Sequence, residues 1–87
     1  MTREQIFKRI EEIFKDVFDD SSLIVSEKLS TENIDYWDSL NHINLLSAIQ
    51  QEFHIAFELN EIHELKNIGA IIDSILKKMV NVHPAAR

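Results

Sequence analysis

Cysteine is absent from this chain, and glycine and proline occur once each. Without cysteine there is no disulfide, no thiolate zinc site and no cysteine nucleophile, so any thiol chemistry must arrive on a cofactor. The scarcity of glycine and proline removes the residues that tight hairpins depend on and favours helices. Pro84, the one proline, stands in the C-terminal tail. No apolar run approaches the length of a membrane span, and the charged opening Thr2-Arg3-Glu4-Gln5 is unlike a signal peptide, so the expected location is the cytoplasm. Bases are also in deficit: nine against fifteen acids give a net charge of -6. That balance argues against a nucleic-acid or anionic-membrane surface and towards basic protein partners.

What is present suits one small globular domain. Eighty-seven residues, 45% hydrophobic and 28% charged, allow a modest core but no separate catalytic domain. Thr2 and Gln5 read as a capping box. Behind it Ile6, Phe7, Ile10, Ile13, Phe14, Val17 and Phe18 share a helical face roughly 140° wide, which predicts a first helix over about 3–18. Arg3, Lys8, Glu12, Lys15 and Asp19 take the opposite side.

Residues 19–38 form a long connection, of the length that is often functional. Leu23, Ile24, Val25, Leu29, Ile34, Tyr36 and Trp37 are expected to pin it to the helices, with Ser26 to Asn33 as its polar outside. A second helix is predicted from Ser39 to about Phe53, burying Leu45, Leu46, Ile49 and Phe53. Leu40 and Ile43 fall outside that stripe and are candidates for a partner surface, together with Asn44 and Ser47. A short third helix around Glu58 to Leu65 and a last one from about Asn67 to Met79 follow. In the last, Ile68, Ile71, Ile72, Ile75, Leu76 and Met79 make the stripe and Lys77-Lys78 complement the C-terminal dipole. The expected fold is all-α, a small four-helix bundle of three longer helices and one short third helix, with a long loop between the first two. Residues 1–80 form the domain and 81–87 a frayed tail.

Asp38-Ser39-Leu40 carries the chemistry. A serine in the first turn of a helix lies beside free backbone N–H groups and the positive end of the macrodipole, a favourable place for a phosphate ester. His42, one turn on, invites a Ser-His-Asp reading. Asp38 is poorly placed to hold the imidazole, and neither a glycine-rich elbow nor an oxyanion hole is evident. Catalysis is therefore not expected. His42 is placed near the phosphate or the pocket mouth, and Trp37 is read as a loop anchor. His54, His63 and His83 lack company at compact spacing, so no metal site is expected.

The order of elements, with Asp38-Ser39-Leu40, Leu45-Leu46, Ile49, Glu52-Phe53, Phe57, Leu65, Ile68, Ile71-Ile72 and Ile75 at matching spacing, resembles the acyl carrier protein family over about residues 3–79. The resemblance implies a carrier and not an enzyme. Its cofactor would be 4'-phosphopantetheine, attached to Ser39 from coenzyme A by a phosphopantetheinyl transferase, with Asp38 positioning the metal-bound coenzyme and Leu40 beside it. Acyl groups would ride as thioesters on the arm, exchanged with acyl-loading and acyl-transfer enzymes; for the oligomeric state, a monomer is the default expectation. A tethered arm lets one intermediate visit several sites at high effective concentration. The family's acyl pocket maps onto Ile49, Phe57, Ile62, Leu65 and Ile68, and Ile62 is bulkier than the small residue often found there.

One departure stands out. Where fatty-acid carriers have acids along the second helix, this chain has Asn41, Asn44, Gln50 and Gln51, and only Glu52 is charged. Charge complementarity governs encounter rate and partner choice. The expectation is therefore a specialised lipid, polyketide or surface-polysaccharide pathway instead of housekeeping fatty-acid synthesis. The alternatives are an aminoacyl carrier (D-alanyl or peptidyl) and a helical interaction module whose serine is never modified. Tyr36-Trp37 in place of a glycine-rich lead-in argues against the peptidyl version.

Overall fold

The computed structural model describes residues 1–82, so most of the expected tail, 83–87, lies outside the described residues. Four helices follow one another: α1 (Arg3–Val17), α2 (Ser39–Phe53), α3 (Leu59–Ile62) and α4 (Ile68–Val82). The fold is an all-α bundle, and α1 packs on both α2 and α4.

Local chemistry sets the ends of α1. Thr2 accepts a hydrogen bond from the Gln5 N–H while the Gln5 side chain accepts from Thr2 N–H, the reciprocal box that satisfies two orphan donors. Ile6, Ile10 and Phe14 are fully buried and meet Leu45, Ile49, Ile68, Ile71, Ile72 and Ile75 in one core. Each such side chain contributes roughly 1.5–3 kcal/mol on burial.

The long loop is tied at its middle and at its α2 end. Leu29 and Glu27 offer their carbonyls to the first-turn N–H groups of Ile68 and Gly69, at 3.0 and 2.9 Å. Asn67 caps α4 by accepting from Ala70 N–H at 2.7 Å. Thr31 N–H donates to the Lys66 carbonyl at 2.9 Å, and Ser30 bridges to Asn67. Gly69 permits this approach, since a Cβ there would stand 3.2 Å from the Glu27 carbonyl oxygen. Toward α2, Trp37 is buried edge-on to Phe14, with ring centroids 5.1 Å apart, and Val25 and Ile34 are buried with it.

Several expectations change in the structure. Ile24 does not pin the loop: it is 89% exposed. Tyr36 is also largely exposed, although its ring lies 5.4 Å from that of Phe18 and its hydroxyl donates to Asp20 at 3.3 Å. The third helix is a single turn, because the expected continuation to Leu65 gives way to a turn at His63 and Glu64 that drops Leu65 into the core. The last helix continues to Val82, three residues past Met79, so Lys77 and Lys78 do not sit in its final turn. Lys78 instead bridges to Glu61 at 2.6 Å and lies 5.7 Å over the Phe57 ring, clamping α3 to α4.

Candidate functional site

Ser39 is the first residue of α2. Asp38 precedes it as N-cap, in extended conformation, and its carboxylate accepts from Asn41 N–H at 2.9 Å. The cap frees the serine from that duty. Ser39 is exposed, and its hydroxyl makes no hydrogen bond among the described residues. Tyr36 helps to hold the turn, its carbonyl accepting from the Asn41 side-chain amide at 2.7 Å.

Beside Ser39 opens a cavity of about 430 Å³. Trp37, Asp38, Ser39 and His42 form one wall at the start of α2. Ile62, His63 and Lys66 form the facing wall, and Thr31 closes one side from the long loop. The cavity thus lies where three segments distant in sequence converge.

His42 holds the two walls together. The Trp37 indole N–H donates to His42 Nδ1 at 2.9 Å, so the proton of the neutral ring sits on Nε2, which donates to the Ile62 carbonyl at 3.1 Å. Both ring nitrogens are engaged away from Ser39, and Asp38 is turned to the helix N-terminus. A serine–histidine–aspartate relay has no geometry here. His42 lines the cavity beside Ser39, and its role as a bridge was not visible in the sequence. His42 and Ile62 are 20 positions apart, and no local pattern pairs them.

Of the residues expected to shelter an acyl chain, Ile49, Phe57, Leu65 and Ile68 are buried in the closed core. Only Ile62 of that set lines the cavity beside Ser39. The structure therefore brings Ile62 to the serine and leaves the other four behind it. On the outer face of α2, Leu40 is 69% and Ile43 53% exposed, and Asn44 and Ser47 are exposed with them. Glu52, the single charge of that helix, is paired with Arg9 of α1. His63 and Lys66 are site residues that the sequence reading did not find; their one sequence signal is basic character within an acidic chain. No cluster that could hold a metal ion occurs among the described residues. No helix among them is long and apolar enough to cross a membrane.

Comparison with known proteins agrees with this geometry. The chain superposes on the solution NMR structure of a holo acyl carrier protein from Geobacter metallireducens with a TM-score of 0.80 and 36% identity, covering 90% of each chain. It is 25% identical over 80 residues to an acyl carrier protein of Petrotoga mobilis, spanning 91% of this chain and 93% of that one. No family model matches.

Proposed function

This chain belongs to the acyl carrier protein family and is a carrier, not an enzyme, and from that premise we propose that Ser39 is the attachment site of a 4'-phosphopantetheine arm taken from coenzyme A. The observation that carries the proposal is the exposed Ser39 hydroxyl, unengaged among the described residues and set in the first turn of α2 at the edge of the cavity. The residues present fit the group. A capped helix start leaves Ser39 accessible to a phosphopantetheinyl transferase, and the adjoining space can take the first atoms of an arm. When bound, the arm supplies a thiol that holds an acyl group as a thioester.

The chain's own residues orient and present that attachment. Asp38 fixes the first turn of α2, and its second carboxylate oxygen remains available to position the metal-bound coenzyme during the transfer. Leu40 and Ile43, with Asn44 and Ser47, form the face offered to the transferase and to the loading and transfer enzymes. Residues 1–80 act as the carrier domain. The closed core behind Ile62 favours a short acyl group over a long saturated chain. The neutral outer face of α2 favours a specialised lipid, polyketide or surface-polysaccharide pathway.

The test is incubation with coenzyme A and a promiscuous phosphopantetheinyl transferase, read by intact mass spectrometry. A single phosphopantetheine is expected on the wild type and none on Ser39→Ala. No gain would leave an unmodified interaction module as the reading, and a gain that survives the substitution would overturn Ser39 as the attachment site. Cargo length is read separately by amide chemical shifts. Long-chain forms should perturb Ile49, Phe57, Ile62, Leu65 and Ile68 less than short ones do, and equal perturbation by short and long forms would overturn the short-chain preference.

A further inference from the structure

We propose that Lys66, with His63 beside it as a hydrogen-bond donor, both carried on the connection from α3 to α4, forms a cationic seat for the phosphodiester at Ser39. The inference rests on the carrier reading of Ser39 and adds where the first atoms of the arm lie.

The argument begins with charge. In a chain of net charge -6, the lining of the cavity beside Ser39 holds one acid, Asp38, against Lys66 and two histidines. Asp38 is committed to capping Asn41. His42 cannot serve an anion while its Nδ1 accepts from Trp37 and its Nε2–H donates to the Ile62 carbonyl. His63 and Lys66 remain. Both side chains are exposed, and among the described residues neither forms a side-chain hydrogen bond or ion pair. Glu64, between them in sequence, does not line the cavity and instead lines a groove with Asp73 and Lys77.

Backbone contacts fix where the two bases stand. The Lys66 carbonyl accepts from Thr31 N–H at 2.9 Å, and Leu65 beside it is anchored in the core. His63 follows Ile62, whose carbonyl is held by His42 at 3.1 Å. The bases thus face Ser39 across a space within the range of small-ligand sites. A phosphodiester on Ser39 would present one negative charge shared by two non-bridging oxygens to that wall, and the Lys66 ammonium, an ionised donor, forms the stronger kind of hydrogen bond to such a group. Lysine acts there as a point charge, with its long stem able to reach. Solvent screening keeps the contact modest, so the arm can leave for a partner. Seated this way, the arm starts over Ile62 and Trp37.

The experiment uses the full chain loaded at Ser39 with coenzyme A and a promiscuous transferase, with loading confirmed by intact mass. The readouts are the phosphorus-31 resonance and NOEs from the arm's geminal methyl groups to protein protons. Wild type should show a phosphorus resonance displaced from that of an identically modified peptide spanning residues 36–43, with NOEs to Ile62 and the Trp37 indole. The doubly substituted His63→Gln, Lys66→Gln chain should return the resonance to the peptide value and lose the NOEs, and the charge-reversing Lys66→Glu should do so by itself. Unchanged circular dichroism and amide spectra away from the cavity verify that these exposed substitutions leave the fold intact. A wild-type resonance equal to the peptide's, or one unmoved by the substitutions, overturns the seat while leaving the carrier reading in place. Failure to load at all overturns both.

Discussion

His42 stands between two groups with opposite demands: an indole N–H that needs an acceptor and a carbonyl that needs a donor. Only a neutral imidazole with its proton on Nε2 meets both. Replacing it with alanine leaves the buried Trp37 donor and the Ile62 carbonyl without these partners, a loss of about 1–3 kcal/mol per group left unsatisfied. Water entering the cavity offsets part of that, so His42→Ala should lower stability by roughly 1–3 kcal/mol in urea titrations. The tryptophan emission should shift as the indole loses its partner. His42→Ala as stable as wild type, with unchanged emission, would show that the bridge contributes nothing. Neither partner is a sequence neighbour of the kind that helical periodicity exposes.

At the scale of the element, α3 is too short to be stable by itself, since one turn cannot repay nucleation. It persists because Glu61 gathers three partners. The Glu61 carboxylate accepts from Glu58 N–H at 2.6 Å, Ser74 hydroxyl at 2.8 Å and Lys78 at 2.6 Å. Burial pushes the acid upward, but the Lys78 and backbone contacts outweigh it and hold Glu61 below the ordinary glutamate range. A depressed folded pKa means stability that is full above the unfolded value, near 4.3, and is lost as pH falls through the folded one. Acidification should therefore free α3 before the bundle opens. Amide exchange at Leu59 to Leu65 should rise on the acid side while α1 and the centre of α4 stay protected. Glu61→Gln should show that faster exchange already at neutral pH, with a weaker acid dependence. Equal protection of α3 across the acid range would refute the clamp.

Across the whole molecule, acidity is kept apart from the face proposed for recognition. The chain carries net charge -6, yet α2 presents Leu40, Ile43, Asn44 and Ser47, and its one acid is paired with Arg9. A partner docking on that face meets apolar and amide groups, whose contribution resides in buried contact more than in long-range attraction. Leu40→Ala and Ile43→Ala should each slow modification by a phosphopantetheinyl transferase by on the order of tenfold, equivalent to about 1.4 kcal/mol. Raising ionic strength should change the rate only mildly. A rate that collapses with salt but ignores both substitutions would transfer recognition to the charged surfaces.

The amphipathic stripes, the Thr2–Gln5 box and the place of Ser39 at the start of α2 were legible because each depends on residues within a turn or two of one another. Periodicity and capping are local, and the family's hydrophobic spacing is written along the chain. Helix ends were less legible. The third helix stops early because Leu65 is drawn into the core, and the fourth runs on to Val82, past the lysines that were read as its end. The exposure of Ile24 and the bridge from Trp37 through His42 to Ile62 depend on which segments meet in space. So do the pairing of Arg9 with Glu52 and the cavity where His63 and Lys66 face Ser39. The sequence by itself determined a helical carrier with its serine at a helix start, because short-range patterns encode both. Tertiary structure alone decided what surrounds that serine, because chain segments far apart in sequence become neighbours only when the core closes.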